Sequence, residues 1–367
     1  MAKIQCVVRD KAGCDYYRVI LPAIGLQKDT EWSSKNTIEI LWIGQDEWQI
    51  NCDILIYNKL IGTPIQTLKE YQAKGMKLVV DVDDYWVLPD WHPEKSWNAM
   101  GNDKLTLEHI KIADIVVCSS MRIQDKIREY NKNTVVIPNA IPYGEGQYSD
   151  TNKIQSDKIR FIYAGGISHL QDVKLLEGKF RRIGSDNIRY TTEYILAGYE
   201  KAKGTMKVYS TKEDMEAGND NYTLQTTDVR GPYDDMKAIF SQTNSYRILE
   251  TLPVHKYLSH YDHADVSLVP IVANEWNSMK SNLKILEAAT RKIPVICSAA
   301  APYTDDILNN IMWVVNGDDW LTHIRWCAKN PQGVKDMGEK LYEEVVQKYH
   351  LKVWNETRKQ VLESLIK

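Results

Sequence analysis

No stretch of this sequence approaches the ~18 consecutive apolar residues that a membrane-spanning helix needs, so no integral membrane segment is expected. Neither sign of charge is in excess: 46 Lys and Arg stand against 49 Asp and Glu, a net charge of −3. That balance gives no overall field to draw in nucleic acid or an anionic membrane. Paired cysteines are missing too. The six, at 6, 14, 52, 118, 297 and 327, include no C-x-x-C, which removes the common zinc and dithiol motifs. Most lie in apolar runs where a free thiol packs as a small hydrophobe, so a reduced, cytoplasmic protein is expected. The chain opens on Ile4-Gln5-Cys6-Val7-Val8 with no long apolar stretch ahead of it, so no secretory leader is expected. Serine-hydrolase and P-loop signatures, a full G-x-G-x-x-G and internal repeats are likewise absent. Phenylalanine is scarce, 3 residues beside 21 Tyr and 11 Trp, and composition alone attaches no function to that imbalance.

What is present is alternation. The 367 residues suffice for two domains of ordinary size, each with its own core. Apolar runs at 4–8, 38–43, 54–57, 78–82, 115–118 and 135–137 alternate with helix-like segments, the pattern of a parallel sheet covered on both faces. Residues 138–158 carry turn residues and charge and read as a linker. A second alternating series follows at 160–164, 194–197, 266–269, 295–297 and 312–315. Between its members, residues 198–221 are polar and aperiodic and read as an excursion outside the core. The expected division is 1–145, 158–333 and a helical tail over 334–367.

The densest chemistry lies in residues 265–298, which read as buried strand, polar loop, helix and buried strand, the unit in which a parallel sheet presents a helix start to an anion. With the helix starting at Ser281, Lys284 and Glu287 fall three apart on one face, and Lys280 sits at the mouth of the loop beside Asn282. Ammonium groups oppose phosphate charge and a carboxylate accepts from vicinal hydroxyls, so the set suits a diphosphate flanked by a ribose. A nucleotide-sugar fits. Three further segments place chemistry at strand ends. Gly13-Cys14-Asp15-Tyr16-Tyr17-Arg18 follows the first strand, where backbone N–H groups meet a ligand; its bland reading is a glycine turn with an exposed arginine. Asp81-Val82-Asp83-Asp84 brings three carboxylates to a sheet edge, where they repel one another unless compensated, and a D-x-D site for Mg²⁺ or Mn²⁺ is the obvious candidate. Gly165-Gly166-Ile167-Ser168-His169 joins a strand to a helix, with Lys174 further on, and a lone His there is more often a cap than a catalyst. An aromatic loop, Tyr85-Trp86, Trp91-His92 and Trp97, suits stacking on a sugar face or simple roofing. His260-Tyr261-Asp262-His263 lacks the base and third ligand of a zincin and reads as structural.

The run Lys280, Ser281, Leu283, Lys284, Leu286, Glu287 resembles the KSxLKxLE-type signature of retaining GT-B-fold glycosyltransferases, in a divergent branch of the group 1, family 4-like enzymes of bacteria and phages. Tyr16, Tyr17, Arg18 and Pro22 match that branch's "YYR…P" opening. The resemblance implies an α/β protein of two Rossmann-like domains whose parallel sheets face each other across a cleft, with the C-terminal helices crossing back to the first. It implies sugar transfer, with retention, from a nucleotide-diphosphate sugar to an acceptor glycan, protein or modified nucleobase. It also implies no metal and no other cofactor, since GT-B enzymes neutralise the leaving diphosphate with side chains and helix ends. On this reading Lys280 and Lys284 stabilise the leaving group, and Glu287 binds the donor ribose as the second glutamate of the relatives' E-x7-E motif, the first falling on Met279. Asp83 stands where relatives carry a histidine, and contacts sugar or acceptor hydroxyls. Arg18 contacts phosphate or acceptor. Gly13, Gly165, Gly166, His169, Ser281, Asn282 and Val254 complete the donor site, with Leu252-Pro253-Val254 matching the segment that recognises the nucleobase. Two other readings stand beside this one: a non-catalytic nucleotide-sugar or glycan-binding module, and an epimerase on the same fold.

Overall fold

The chain, seen in a computed structural model, is described over residues 1–9, 13–43, 49–149, 153–201, 203–209, 222–228, 230–306 and 308–366, with 203–209 and 222–228 described by their backbone. The apolar runs become strands of two six-stranded sheets, each parallel throughout. The first holds β1 (Ala2–Val8), β2 (Asn36–Trp42), β3 (Ile54–Asn58), β4 (Lys77–Val82), β5 (Ile115–Cys118) and β6 (Thr134–Val136) in the order β2-β1-β3-β4-β5-β6. The second holds β7 (Ile159–Ala164), β8 (Thr192–Tyr199), β11 (Tyr246–Glu250), β12 (Val266–Val269), β13 (Val295–Ser298) and β14 (Ile311–Val314) in the order β11-β8-β7-β12-β13-β14. Central strands such as β12 are buried along their whole length, as a sheet covered by helices on both faces requires.

Those strand orders decide where a ligand binds. In the first sheet the chain steps outward from β1 to β2 and then returns past β1 to β3, so the crevice opens between the C-terminal ends of β1 and β3. In the second it runs outward from β7 through β8 and then returns to β12, so the crevice lies between β7 and β12. The segment at Gly13 follows β1, Lys59 follows β3, Gly165 follows β7 and the 270–284 loop follows β12.

Two elements depart from the sequence reading. Strand β11 was not expected: it is an edge strand of partly exposed Tyr-Arg-Ile-Leu-Glu, with no buried face long enough to set a period. The 198–221 excursion is in part regular. Residues of β9 (Lys203–Tyr209) pair antiparallel with β10 (Tyr222–Asp228) in a separate two-stranded ribbon, while 202 and 210–221 lie outside the described residues.

All three phenylalanines, Phe161, Phe180 and Phe240, sit in one buried cluster of the second half, with Phe180 and Phe240 ring centroids 5.0 Å apart. The two halves share a continuous apolar cluster in which Tyr17, Leu21 and Ile141 meet Ile162, Leu286 and Leu341. Behind it the chain's end returns to its beginning. Ile141 exchanges backbone hydrogen bonds with the 349–351 turn, donating to Tyr349 and accepting from Leu351, both at 2.9 Å. The helix Leu351–Ile366 then packs on the helix Leu21–Lys28, Asn355 Nδ2 donating to the Pro22 carbonyl at 3.2 Å and Leu362 entering the core beneath β1.

Leu362→Ala removes a buried side chain that joins the C-terminal helix to the first half. Stability should fall by about 2–5 kcal/mol, measured by urea denaturation, because the site cannot collapse around the lost methyls. An unchanged midpoint would show that this helix contributes nothing to the first half.

Candidate active site

A local irregularity aims the first residues of the site. After the turn Gly13–Asp15, residues Tyr16–Ile20 form a π-helical turn in which the Leu21 N–H donates to the Tyr16 carbonyl, and a regular helix resumes at Leu21. Pro22 has no N–H to give an i→i−4 bond, which makes the wider turn cheap, and such turns recur at functional sites. The turn directs Tyr17 and Arg18 toward the cleft floor.

Arg18 is buried and held by protein partners. Its Nε and one Nη atom grip Asp81 at 2.8 and 2.9 Å, and the other Nη donates to Asn139 Oδ1 at 3.1 Å. Burial disfavours the charge, yet the Asp81 carboxylate outweighs it and holds the guanidinium protonated. Arg18 lines the same cavity as the lysines of the second half, with its guanidinium engaged by the protein: the sequence marks an arginine after a strand, but only the fold puts Asp81 beside it. Asn139 extends the network across the cleft by donating to Ser281 Oγ at 2.7 Å.

The other two carboxylates of the acidic run share Lys59, which the sequence reading passed over. Its Nζ lies 2.8 Å from Asp83 Oδ1 and also bonds Asp84, while Asn58 Nδ2 donates to Asp83 Oδ1 at 3.1 Å. Lys59 adopts a left-handed backbone, φ 56°, at the crevice mouth. Burial raises the Asp83 pKa, but the Lys59 ammonium and hydrogen bonds from Cys14 and Asn58 more than reverse that and hold it below the ordinary value. Asp83 is thus a hydrogen-bond acceptor and a weak base. Asp84 is raised instead, by burial and by the Asp83 charge.

From the second half come two ammonium groups with no ion pair among the described residues. Lys284 Nζ donates to the Ala164 carbonyl at 2.6 Å and sits 5.2 Å from the Tyr163 ring centroid. Lys280 Nζ lies 3.8 Å from the centroid of Trp276 and donates to His169 Nε2 at 3.3 Å. Burial lowers both, Lys280 to about 8. Trp276 is itself covered by the aromatic loop of the first half, with Trp91 and His92 centroids at 5.4 and 4.9 Å. Gly165 makes room for the arrangement: a Cβ there would stand 2.6 Å from both Lys284 Nζ and Tyr163 Oη.

Glu287 closes the group from one turn below Lys284. It is 5 % exposed, less open than a cleft carboxylate read from sequence, and accepts from Tyr17 Oη at 2.8 Å and Tyr261 Oη at 3.4 Å. Burial raises its pKa, against the pull of Lys284 and the two hydroxyls. Tyr17, Asp83, His169, Lys280, Lys284 and Glu287 line one cavity of about 540 Å³ between the two crevices, the size of a small-molecule site. Gly13, Gly166, Ser281, Val254, Tyr257 and Tyr303 line it as well. Asn282 is not among the lining residues; it precedes the helix Leu283–Ala289. That start lies two residues beyond the expected one, and the helix is only two turns long, so the charge is delivered by side chains more than by the helix end. Met279, at the position of the first glutamate, turns into the core of the first half. Lys174 is exposed and outside the cavity. In the His260 segment Asp262 pairs with Arg291 and the nearby Asp265 with Arg160, a structural role for both.

By sequence, neither a family model nor a curated protein matches the chain. By structure it is similar to the sucrose-phosphate synthase of Thermosynechococcus elongatus, with a TM-score of 0.66 and 12 % identity over 100 % of this chain and 99 % of that one. The chain has the GT-B fold. Other GT-B structures repeat the likeness. HepE of Anabaena, in complex with UDP-glucose, aligns with a TM-score of 0.62 and 11 % identity over 99 % of this chain and 100 % of that one. A UDP-forming trehalose-phosphate synthase of Burkholderia xenovorans gives 0.56 and 10 % over 86 % and 75 %.

Gly165→Ala tests whether Lys284 depends on the glycine. The added methyl should displace the ammonium while leaving the fold intact, weakening binding of a nucleoside diphosphate by roughly tenfold or more, the scale of one charge-assisted hydrogen bond. Calorimetry with UDP, ADP and GDP would measure it, and wild-type affinity would detach Lys284 from the site.

Proposed function

We propose that this protein transfers a sugar from a nucleoside-diphosphate sugar to an acceptor hydroxyl, with retention of anomeric configuration and without a metal ion. The observation that carries the reading is the pair Lys280 and Lys284. Both ammonium groups are desolvated, held by neutral partners, and aimed into the cavity between the two sheet crevices. A diphosphate supplies the missing counter-charge. The GT-B likeness supports the same reading, since one similar protein was solved with UDP-glucose and another is named as UDP-forming.

In this reading the diphosphate lies against Lys280, Lys284 and the backbone of Gly165 and Gly166, the base against residues 252–254, and the ribose toward Glu287. As the bond from the anomeric carbon to the phosphate oxygen breaks, negative charge grows on that oxygen, and two preorganised ammonium groups favour it more than the bound donor. The acceptor hydroxyl enters on the same face and its oxygen bonds the anomeric carbon. Its proton passes to the departing phosphate. Asp83, with its lowered pKa, accepts a hydrogen bond from a sugar or acceptor hydroxyl without taking the proton. Lys59 and Arg18 already compensate the acidic run, so the reading needs no cation there. A second reading, binding without transfer, is favoured by Met279, which removes a carboxylate that the relatives' motif places at the transferred sugar.

A panel of nucleotide-sugars, assayed with EDTA for release of free nucleoside diphosphate, separates the readings. Turnover that survives the chelator is expected with at least one donor. Lys280→Met and Lys284→Met, which keep the apolar stems, should each lower turnover roughly a hundredfold with a smaller change in donor affinity. Binding with no release from any donor would leave the non-catalytic reading.

The depressed pKa of Lys280 sets a pH dependence. The ammonium is charged below about 8 and loses its proton above it, so donor affinity should be full below that pH and fall as pH rises through it. Affinity measured from pH 6.5 to 9.5 should show this fall, and Lys280→Arg should move it out of the range. A profile that is the same in both proteins would mean that Lys280 does not meet the phosphate.

A further inference from the structure

The manner in which Lys280 is held leads one step further. Its hydrogen-bond acceptor is an imidazole nitrogen, and the opposite nitrogen of that ring is tied to a carboxylate: His169 Nδ1 lies 2.7 Å from Asp172 Oδ2. Asp172 is almost fully buried and its other oxygen is occupied as well, accepting from the Val272 N–H at 2.8 Å and from Asn277 Nδ2 at 2.9 Å. One carboxylate therefore ties the loop after β7 to the loop after β12. An ammonium can only donate, so Lys280 at Nε2 needs a lone pair there, which places the His169 proton on Nδ1, donated to Asp172 Oδ2, while two donors fix the other Asp172 oxygen as an acceptor. The lone pair faces the Lys280 ammonium.

We infer that Asp172 and His169 are positioning residues that hold the Lys280 ammonium through a neutral lone pair, keeping its whole positive charge for the diphosphate. This rests on the proposed nucleoside-diphosphate site. A carboxylate in direct contact would hold the lysine more tightly but would cancel the charge that the phosphate needs. A neutral imidazole orients without cancelling, and the Trp276 face does the same from the other side. The groups facing His169 favour the neutral ring. Burial chiefly, and then Lys280 and Lys284 from the 280–284 segment and His92 from the aromatic loop, press its pKa well below the ordinary value, while Asp172 is its carboxylate partner.

Asp172→Asn discriminates this arrangement from a merely structural one. An asparagine accepts on one side only. With its oxygen kept by the Val272 N–H and Asn277, its amide donates toward His169, moves the ring proton to Nε2, and sets two donors against each other at Lys280. Binding of UDP, ADP and GDP is measured by calorimetry, and the nucleotide that binds best serves as probe. Asp172→Asn and His169→Leu should each weaken it by roughly ten- to a hundredfold, the scale of a lost orienting partner. Lys280→Met should cost about as much, and Asp172→Asn added to it should cost nothing further, because the pair acts only through Lys280. His169→Gln, whose amide oxygen accepts from Lys280, should restore most of the affinity. Nitrogen-15 spectra of the His169 ring should show the Nδ1–H tautomer in the wild type and the Nε2–H tautomer in Asp172→Asn. Additive losses, no rescue by glutamine, or an Nε2–H wild-type ring would overturn the pair; if Asp172→Asn does not fold, the His169 variants and the wild-type spectrum decide alone. A wild-type affinity in Lys280→Met would instead overturn the proposed phosphate site, whatever the tautomer.

Discussion

Two positive charges in a desolvated cleft, with no ion pair among the described residues, are the constraint around which this protein is arranged. Burial of Lys280 and Lys284 disfavours their charged forms and pushes both pKa values down. Each is held by partners that orient it and take none of its charge: a ring nitrogen and an indole face for one, a carbonyl and a phenol ring for the other. A dianion between them would relieve that cost, which is why the pair carries the proposed reading.

The opposite wall is arranged in the reverse sense. Three carboxylates end β4, and the fold supplies each with a cation, Arg18 to Asp81 and Lys59 to Asp83 and Asp84. Arg18 is not alone in that interior. Arg358, from the C-terminal helix, lies near enough for burial and the Arg18 charge to push its pKa down to about 9. The return of the chain's end to its beginning thus carries charge as well as apolar surface into the first half. Contacts from both halves, Tyr17 to Glu287 and Asn139 to Ser281, make the second-half site depend on the first.

The architecture was legible in the apolar pattern. Buried parallel strands are long apolar runs, so eleven of the twelve strands in the two large sheets were legible, and β11 was not because an edge strand buries too little to impose a period. The grouping of Lys280, Lys284 and Glu287 was legible too, because they are close in sequence and one helical turn brings two of them together. Contacts between distant segments were decided by tertiary structure alone. Lys59 has no local signal that separates it from any solvated lysine; it comes to hold Asp83 and Asp84 because the strand order puts β3 between β1 and β4. Arg18 looked free because Asp81 lies 63 residues away. Asp172, three residues from His169, was within local reach, yet its meaning depends on Val272 and Asn277 occupying its second oxygen. Spacing along the chain fixes what a helix or strand can bring together, while the compensation of a buried charge is settled by whichever partners the packing delivers from elsewhere.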